Sequence, residues 1–208
     1  MKWMPAFIVV AAFAITALAY PALPEIVPIH WNMAGEVDRT APKFPGVFLL
    51  PATLLLAAIA FEAVPRISPR GHALDPQSRG FRAIKAVSLV SLLLLHAVVL
   101  AATAGLPVRI GLFIPLVVGA MFVVIGNYLS TVQRNFFVGI RTPWTLASDE
   151  VWFRTHRLGG RMFMIGGVAL MFTGLLGPVA TITMLVAIIA AVAIVPVVYS
   201  YVTSRRSA

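Results

Sequence analysis

His30 stands among Glu25, Glu36 and Asp38, and His156 follows Asp149 and Glu150 within one turn or two. A histidine with carboxylates around it could hold a metal ion or pass a proton. Zinc sites, however, want three or four close ligands, and one imidazole with scattered acids falls short. The His30 segment therefore reads as a rigid, hydrogen-bonded turn with solvated carboxylates. Around His156 there is no nucleophile placed to complete a triad. Gly-x-Ser-x-Gly, P-loop and His-Glu-x-x-His patterns are all missing. The chain has no cysteine, which removes thiolate metal sites and thiol catalysis. Seven Asp plus Glu, most of them in connections, leave little material for paired-carboxylate chemistry. Neither an enzyme, nor a cofactor, nor a metal is expected.

Three further polar residues fall inside apolar stretches: Glu62, His96 and Asn127. Polar groups at membrane depth are costly and normally face other helices. His96 reads as a hydrogen-bonded bridge between helices, and Glu62 as the i,i+4 partner of Arg66. The sharper alternative is a polar path for a small solute, a transporter or channel. That class often carries inverted repeats, and the sequence has none.

The elements that would hold these residues follow from composition. Of the 208 residues, 60% are hydrophobic and 11% charged, against about 45–50% and about 25% in soluble domains. A bilayer core roughly 30 Å thick needs about 20 apolar residues in helix. Six stretches meet that length or come close: 3–19, 44–64, 83–104, 110–129, 162–176 and 179–202, the fifth being short unless Arg161 and its neighbours snorkel. They are apolar nearly all round, without the alternation of an outer-membrane barrel. The predicted fold is all-α, a polytopic integral membrane protein with six transmembrane helices forming a single membrane domain over 1–208. Within it lies an N-terminal helical hairpin at 3–64. The first stretch, with Lys2 before it and Ala17-Leu18-Ala19 near its end, also fits a cleaved signal peptide; its unbroken apolar length favours a retained helix.

The net charge is +9, but the basic residues cluster in short connections rather than over a polar face. They mark the second loop (Arg66, Arg70, Arg79, Arg82), the fourth loop (Arg134, Arg141, Arg154, Arg157, Arg161) and the tail (Arg205, Arg206). This is the positive-inside bias of a membrane protein, not a nucleic-acid surface. It predicts a multi-pass protein of the cell (inner) membrane, with both termini cytoplasmic and the lipid bilayer as its principal partner.

Two loops are unusual. The first runs Tyr20-Pro21-Ala22-Leu23-Pro24-Glu25-Ile26-Val27-Pro28-Ile29-His30-Trp31-Asn32-Met33-Ala34-Gly35-Glu36-Val37-Asp38. Its prolines stop the preceding helix, and Asn-x-x-Gly is turn chemistry. The fourth contains Asn135-Phe136-Phe137-Val138-Gly139-Ile140-Arg141-Thr142-Pro143-Trp144-Thr145-Leu146. After it, Ser148 is a predicted N-cap, with Asp149 and Glu150 at the positive end of a helix dipole. Val151, Trp152, Thr155 and Leu158 share one side at helical spacing, and Gly159-Gly160 can end the element. The prediction is a short amphipathic helix at the inner membrane interface.

At these loops the sequence resembles the SdpI-like integral membrane proteins, the immunity family of the sporulation-delaying toxin system. The matching residues are the prolines followed by His30-Trp31-Asn32, Gly35 and Asp38, then Gly126-Asn127-Tyr128-Leu129, Asn135 to Leu146, and Val151-Trp152 to Gly159-Gly160. The C-terminal SdpI-like region is placed at 110–202. The resemblance implies six inner-membrane helices and protection against a membrane-acting peptide toxin. It also implies a signalling role in which a cytoplasmic transcriptional repressor is held at the membrane. On that basis His30, Trp31, Asn32, Gly35 and Asp38 are candidates for meeting a peptide toxin on the outer face. Asn127, Asn135, Phe137, Gly139, Arg141, Thr142, Pro143, Trp144, Trp152, His156 and Arg157 are candidates for signalling or partner binding inside.

Overall fold

The computed structural model describes residues 3–32, 34–69 and 71–206; Lys2, Met33 and Arg70, used in the sequence reading, lie outside the described residues. Helix α1 spans Met4–Ala19 and ends in a 3-10 turn at Tyr20–Ala22. Strands β1 (Ile26–Trp31) and β2 (Val37–Pro42) follow, then a short turn α2 (Lys43–Gly46) and helix α3 (Leu49–Ile67). Helices α4 (Arg79–Thr103) and α5 (Ile110–Leu129) come next. Beyond the fourth loop lie α6 (Pro143–Ala147), α7 (Asp149–Thr173) and α8 (Pro178–Arg206).

Among the described residues, five helical stretches are long and apolar enough to cross a membrane: Met4–Ala22, Lys43–Ile67, Arg79–Thr103, Ile110–Leu129 and Val179–Arg206. Their outward faces carry large exposed apolar side chains such as Phe7, Leu18, Ile59, Val186 and Ile194. Such surface is a liability in water and is what hydrocarbon requires. The chain is a multi-pass membrane protein.

The architecture departs from the sequence expectation in three places. The first loop is an antiparallel two-stranded sheet, not merely a turn, with Ile26 opposite Pro42 and Trp31 opposite Val37; the chain is therefore mostly helical rather than wholly so. The expected interfacial helix and fifth span are one continuous 25-residue element, α7. Gly159-Gly160 does not end it, because both glycines are packed inside and the helical hydrogen bonds run on. And the side carrying Val151, Trp152 and Thr155 is buried against protein rather than lying on lipid.

Helix α4 packs on α1, α3 and α5, while α7 packs on α5 and α8. Ile8, Ala12, Leu54, Ala58 and Leu89 form the core between α1, α3 and α4. Contact between α5 and α7 runs through glycines. A methyl group on Gly126 would lie 2.5 Å from the carbonyl oxygen of Gly160, and one on Gly119 2.5 Å from that of Gly167. Gly174 meets Gly111 in the same way. Small residues let backbones approach where lipid supplies no hydrophobic drive.

Helix α4 also relates the two ends of the bundle. Phe81, near its start, packs with Leu74, Val132 and Trp152. Leu100, near its end, packs with Leu23, Val27 and Val47 at the root of the β-hairpin. The hairpin and the fourth loop thus occupy opposite ends of the bundle, a helix length apart.

Candidate functional site

The fourth loop folds into a compact, hydrogen-bonded knot on the first three turns of α7. Asn135 is fully buried and acts as its hub. Its Oδ1 accepts from the backbone N–H groups of Phe137 (2.8 Å) and Val138 (2.7 Å), and its Nδ2 donates to the carbonyls of Gln133 (2.8 Å) and Val138 (3.0 Å). Gly139 follows with φ +123°. That conformation suits glycine, and a side chain there would run into the His156 ring.

His156 is buried, and its ring stacks on Trp152 with centroids 3.9 Å apart. Its Nε2 accepts from the Ile140 N–H at 2.9 Å. Its Nδ1 therefore carries the proton and donates to the Trp152 carbonyl at 2.8 Å. Burial pushes the imidazole down to about 4, so at neutral pH the ring is uncharged, as this pair of bonds demands. The Trp152 indole N–H donates to the Val132 carbonyl at 2.8 Å. His156 is a structural acceptor here, not an acid or base.

The loop's second half is tied down by Thr142 and Thr145, which form a reciprocal capping box around α6 with Pro143 in its first turn. Thr142 Oγ1 also lies 3.0 Å from Ser200 Oγ on α8, and Trp144 meets Tyr201 edge-on at 5.0 Å. Ser148 caps α7, with Asp149 and Glu150 in the first turn, as the sequence reading expects. Arg134 reaches Asp149 at 2.7 Å and the Leu146 carbonyl at 2.7 Å.

Of the inner candidates, Asn135, Gly139, Thr142, Trp152 and His156 come together in this knot. Phe137 and Trp144 are half-buried beside them. Arg141 and Pro143 are exposed, with an Arg141 guanidinium N–H on the Phe136 carbonyl at 2.6 Å. Arg157 is exposed on the far side of α7, and Asn127 is exposed on α5 rather than facing the bundle. Sequence reasoning missed Thr145, Ser200 and Arg134 as members. The Thr-Pro-x-Thr run was a visible capping signal; nothing local announced Ser200. A cavity of about 450 Å³ opens beside the knot, bordered by His72, Gln133, Arg134, Asp149, Trp152 and Phe153.

At the other end the hairpin is built around its tip. Asn32 Oδ1 accepts from the N–H groups of Ala34 (2.9 Å) and Glu36 (3.0 Å), and Gly35 takes φ +81°. His30 Nδ1 lies 2.6 Å from Asp38 Oδ1 across the strands, with both side chains partly open to solvent. Trp31 is half-buried. The root is fixed by Val27, which is buried, and by Lys43, whose ammonium sits 4.6 Å from the Tyr20 ring centroid and 3.6 Å from Glu25. Among the described residues, no three His, Asp or Glu side chains converge as a metal site.

The polar residues within the spans do not meet. His96 Nε2 lies 2.8 Å from Thr16 Oγ1, joining α4 to α1. The Glu62 carboxylate pairs with Lys85 at 3.0 Å, not with the Arg66 guanidinium as expected; Arg66 turns instead to the Glu62 backbone carbonyl. With Asn127 facing outward, these residues outline no common path for a solute.

Residues 131–200 match the SdpI/YfhL protein family, and residues 7–55 match a domain of unknown function, DUF1648. The chain is 28% identical over 171 residues to the Immunity protein SdpI of Bacillus subtilis (strain 168), covering 80% of each chain. Over 52 residues it is 38% identical to the Uncharacterized membrane protein YbgB of the same organism, covering 25% of this chain and 57% of that one. No solved structure matches the chain.

Proposed function

We propose, from its similarity to the SdpI/YfhL family and to the Immunity protein SdpI, that this membrane protein confers resistance to a membrane-acting peptide toxin. In this reading six helices cross the membrane, α7 included. The β-hairpin faces outward, and the knotted fourth loop faces the cytoplasm with both termini. The observation that carries the reading is the placement of charge. Arg66, Arg79, Arg82, Lys85, Arg134, Arg141, Arg154, Arg157 and Arg161 lie at the end of the knot, whereas Arg39, Lys43 and Arg109 lie at the hairpin end with Glu25, Glu36 and Asp38. The positive-inside bias puts the arginine-rich end in the cytoplasm.

The hairpin then presents Trp31 for apolar contact and the His30–Asp38 pair for orienting polar contact with an arriving amphipathic peptide. Its stiffness, from the Asn32 turn and the buried Val27 root, keeps these groups in place before the ligand comes. On the inner side, exposed Phe136, Arg141, Pro143 and Phe153, the last of them on the rim of the cavity beside the knot, form a surface for a cytoplasmic repressor. Signalling requires that the toxin bind one of two arrangements of the bundle more tightly.

The test is survival of a toxin-sensitive host expressing the chain, with Trp31→Ala and Arg141→Ala made separately. Protection that falls with Trp31→Ala at unchanged protein level supports the outer-face reading. Arg141→Ala should spare protection and lose recruitment of the repressor to membranes. If neither variant alters either activity at normal levels, both surfaces are wrongly assigned.

A further inference from the structure

Helix α7 carries Arg154, Arg157 and Arg161 along one face at i, i+3 and i+7, and the same ridge continues as Ile165 and Val168. Arg154 is satisfied by Glu150 at 2.8 Å. Among the described residues Arg157 and Arg161 pair with no carboxylate, although both are exposed. The arginines line a groove of about 330 Å³ between α7 and α8 that Tyr199 closes on the α8 side. Below the groove the surface turns apolar at once: Ile165 is 71% exposed and Val168 48%.

We propose that this groove holds an anionic phospholipid, its phosphate on Arg157 and Arg161 and its acyl chains along Ile165 and Val168. Guanidinium forks suit phosphate oxygens, and basic clefts between helices at the membrane boundary are suited to acidic headgroups. A free anion would satisfy the arginines and leave the adjoining apolar ridge uncovered; a lipid covers both. With the phosphate on the arginines, the Tyr199 ring that lines the same groove stands beside the headgroup, a position that amphipathic aromatics favour. The proposal needs the bundle to lie in a bilayer, but neither the toxin reading nor the orientation of the chain.

The experiment uses the full chain purified in non-ionic detergent, with bound lipid counted by native mass spectrometry and thermal unfolding followed in parallel. Phosphatidylglycerol is compared with phosphatidylcholine of the same acyl chains, and with glycerol 3-phosphate as the headgroup alone. The expected result is selective retention of phosphatidylglycerol. Arg157→Gln with Arg161→Gln should weaken that retention roughly 30-fold, the scale of two arginines near an anionic surface. The tail variant Arg205→Gln with Arg206→Gln, which changes the charge equally, should keep it. Where the double variant does not fold, Arg161→Gln alone is read in the same way. Equal retention in the groove and tail variants overturns the proposal, as does equal retention of phosphatidylcholine. An effect reproduced by glycerol 3-phosphate alone also overturns it, in favour of a soluble anion.

Discussion

The Nε2 atom of His156 accepts the Ile140 backbone N–H at 2.9 Å, binding the fourth loop to helix α7 through an uncharged ring. Removing that acceptor while keeping a ring of similar bulk leaves a buried N–H without a partner. His156→Phe should cost about 1–3 kcal/mol, read as a lower unfolding temperature in detergent. One residue earlier, the buried Thr155 hydroxyl has no hydrogen-bond partner among the described residues, so Thr155→Val should be neutral or stabilising. The contrast between these neighbours separates the hydrogen bond from general disturbance of the helix.

The same ring makes stability depend on pH. Burial lowers the His156 pKa from 6.5 to about 4, against a smaller opposing pull from the Trp152 carbonyl. Above about 6.5 the ring is neutral in both folded and unfolded chains, and its full contribution is present. As pH falls, the unfolded chain takes up the proton first, so stability declines, and the loss levels off below about 4. Unfolding temperature measured between pH 8 and roughly pH 4 should fall more steeply in the parent than in His156→Phe. Parallel profiles would mean the ring is not buried neutral.

Gly126 and Gly160 set the separation of α5 and α7. A methyl on either would sit 2.5 or 2.6 Å from the other's carbonyl oxygen, and neither backbone can give way without parting the helices. Gly126→Ala and Gly160→Ala should each destabilise by about 1–3 kcal/mol. Gly177→Ala, where a methyl meets nothing within 4 Å, should leave unfolding nearly unchanged.

Much of this arrangement was legible from residue types. Five of the six apolar runs match, to within a few residues, the five helices among the described residues that are long and apolar enough to cross a membrane, because a bilayer imposes one length on all of them. Ser148, Asp149 and Glu150 announced the start of α7, since capping is a local event. The end of the expected amphipathic helix at Gly159-Gly160 was misplaced because a glycine pair can stop a helix or let another helix touch it. Only the partner, Gly126 on α5, decides between the two. The β-hairpin was hidden by Pro24, Pro28 and Pro42, which argue against strands in general but are tolerated in a two-stranded ribbon whose outer edges need no donor. Within the knot, Asn135 and His156 were singled out by the family resemblance; the Asn135 bonds are local, two or three residues away, but the His156–Ile140 bond joins residues 16 apart and no local signal announces it. Asn127 misled the reading because its position near the end of an apolar helix does not reveal which way it faces.

Opposite exposure of the two ends is the claim on which the functional reading stands. The chain has no cysteine, so single cysteines can report each end without background. Ala34→Cys at the hairpin tip and Ala147→Cys at the end of α6 are both at exposed positions. A membrane-impermeant maleimide added to intact cells should label Ala34→Cys, and should label Ala147→Cys only after the inner membrane is opened. Labelling of Ala147→Cys in intact cells, or of both positions alike, would contradict the account.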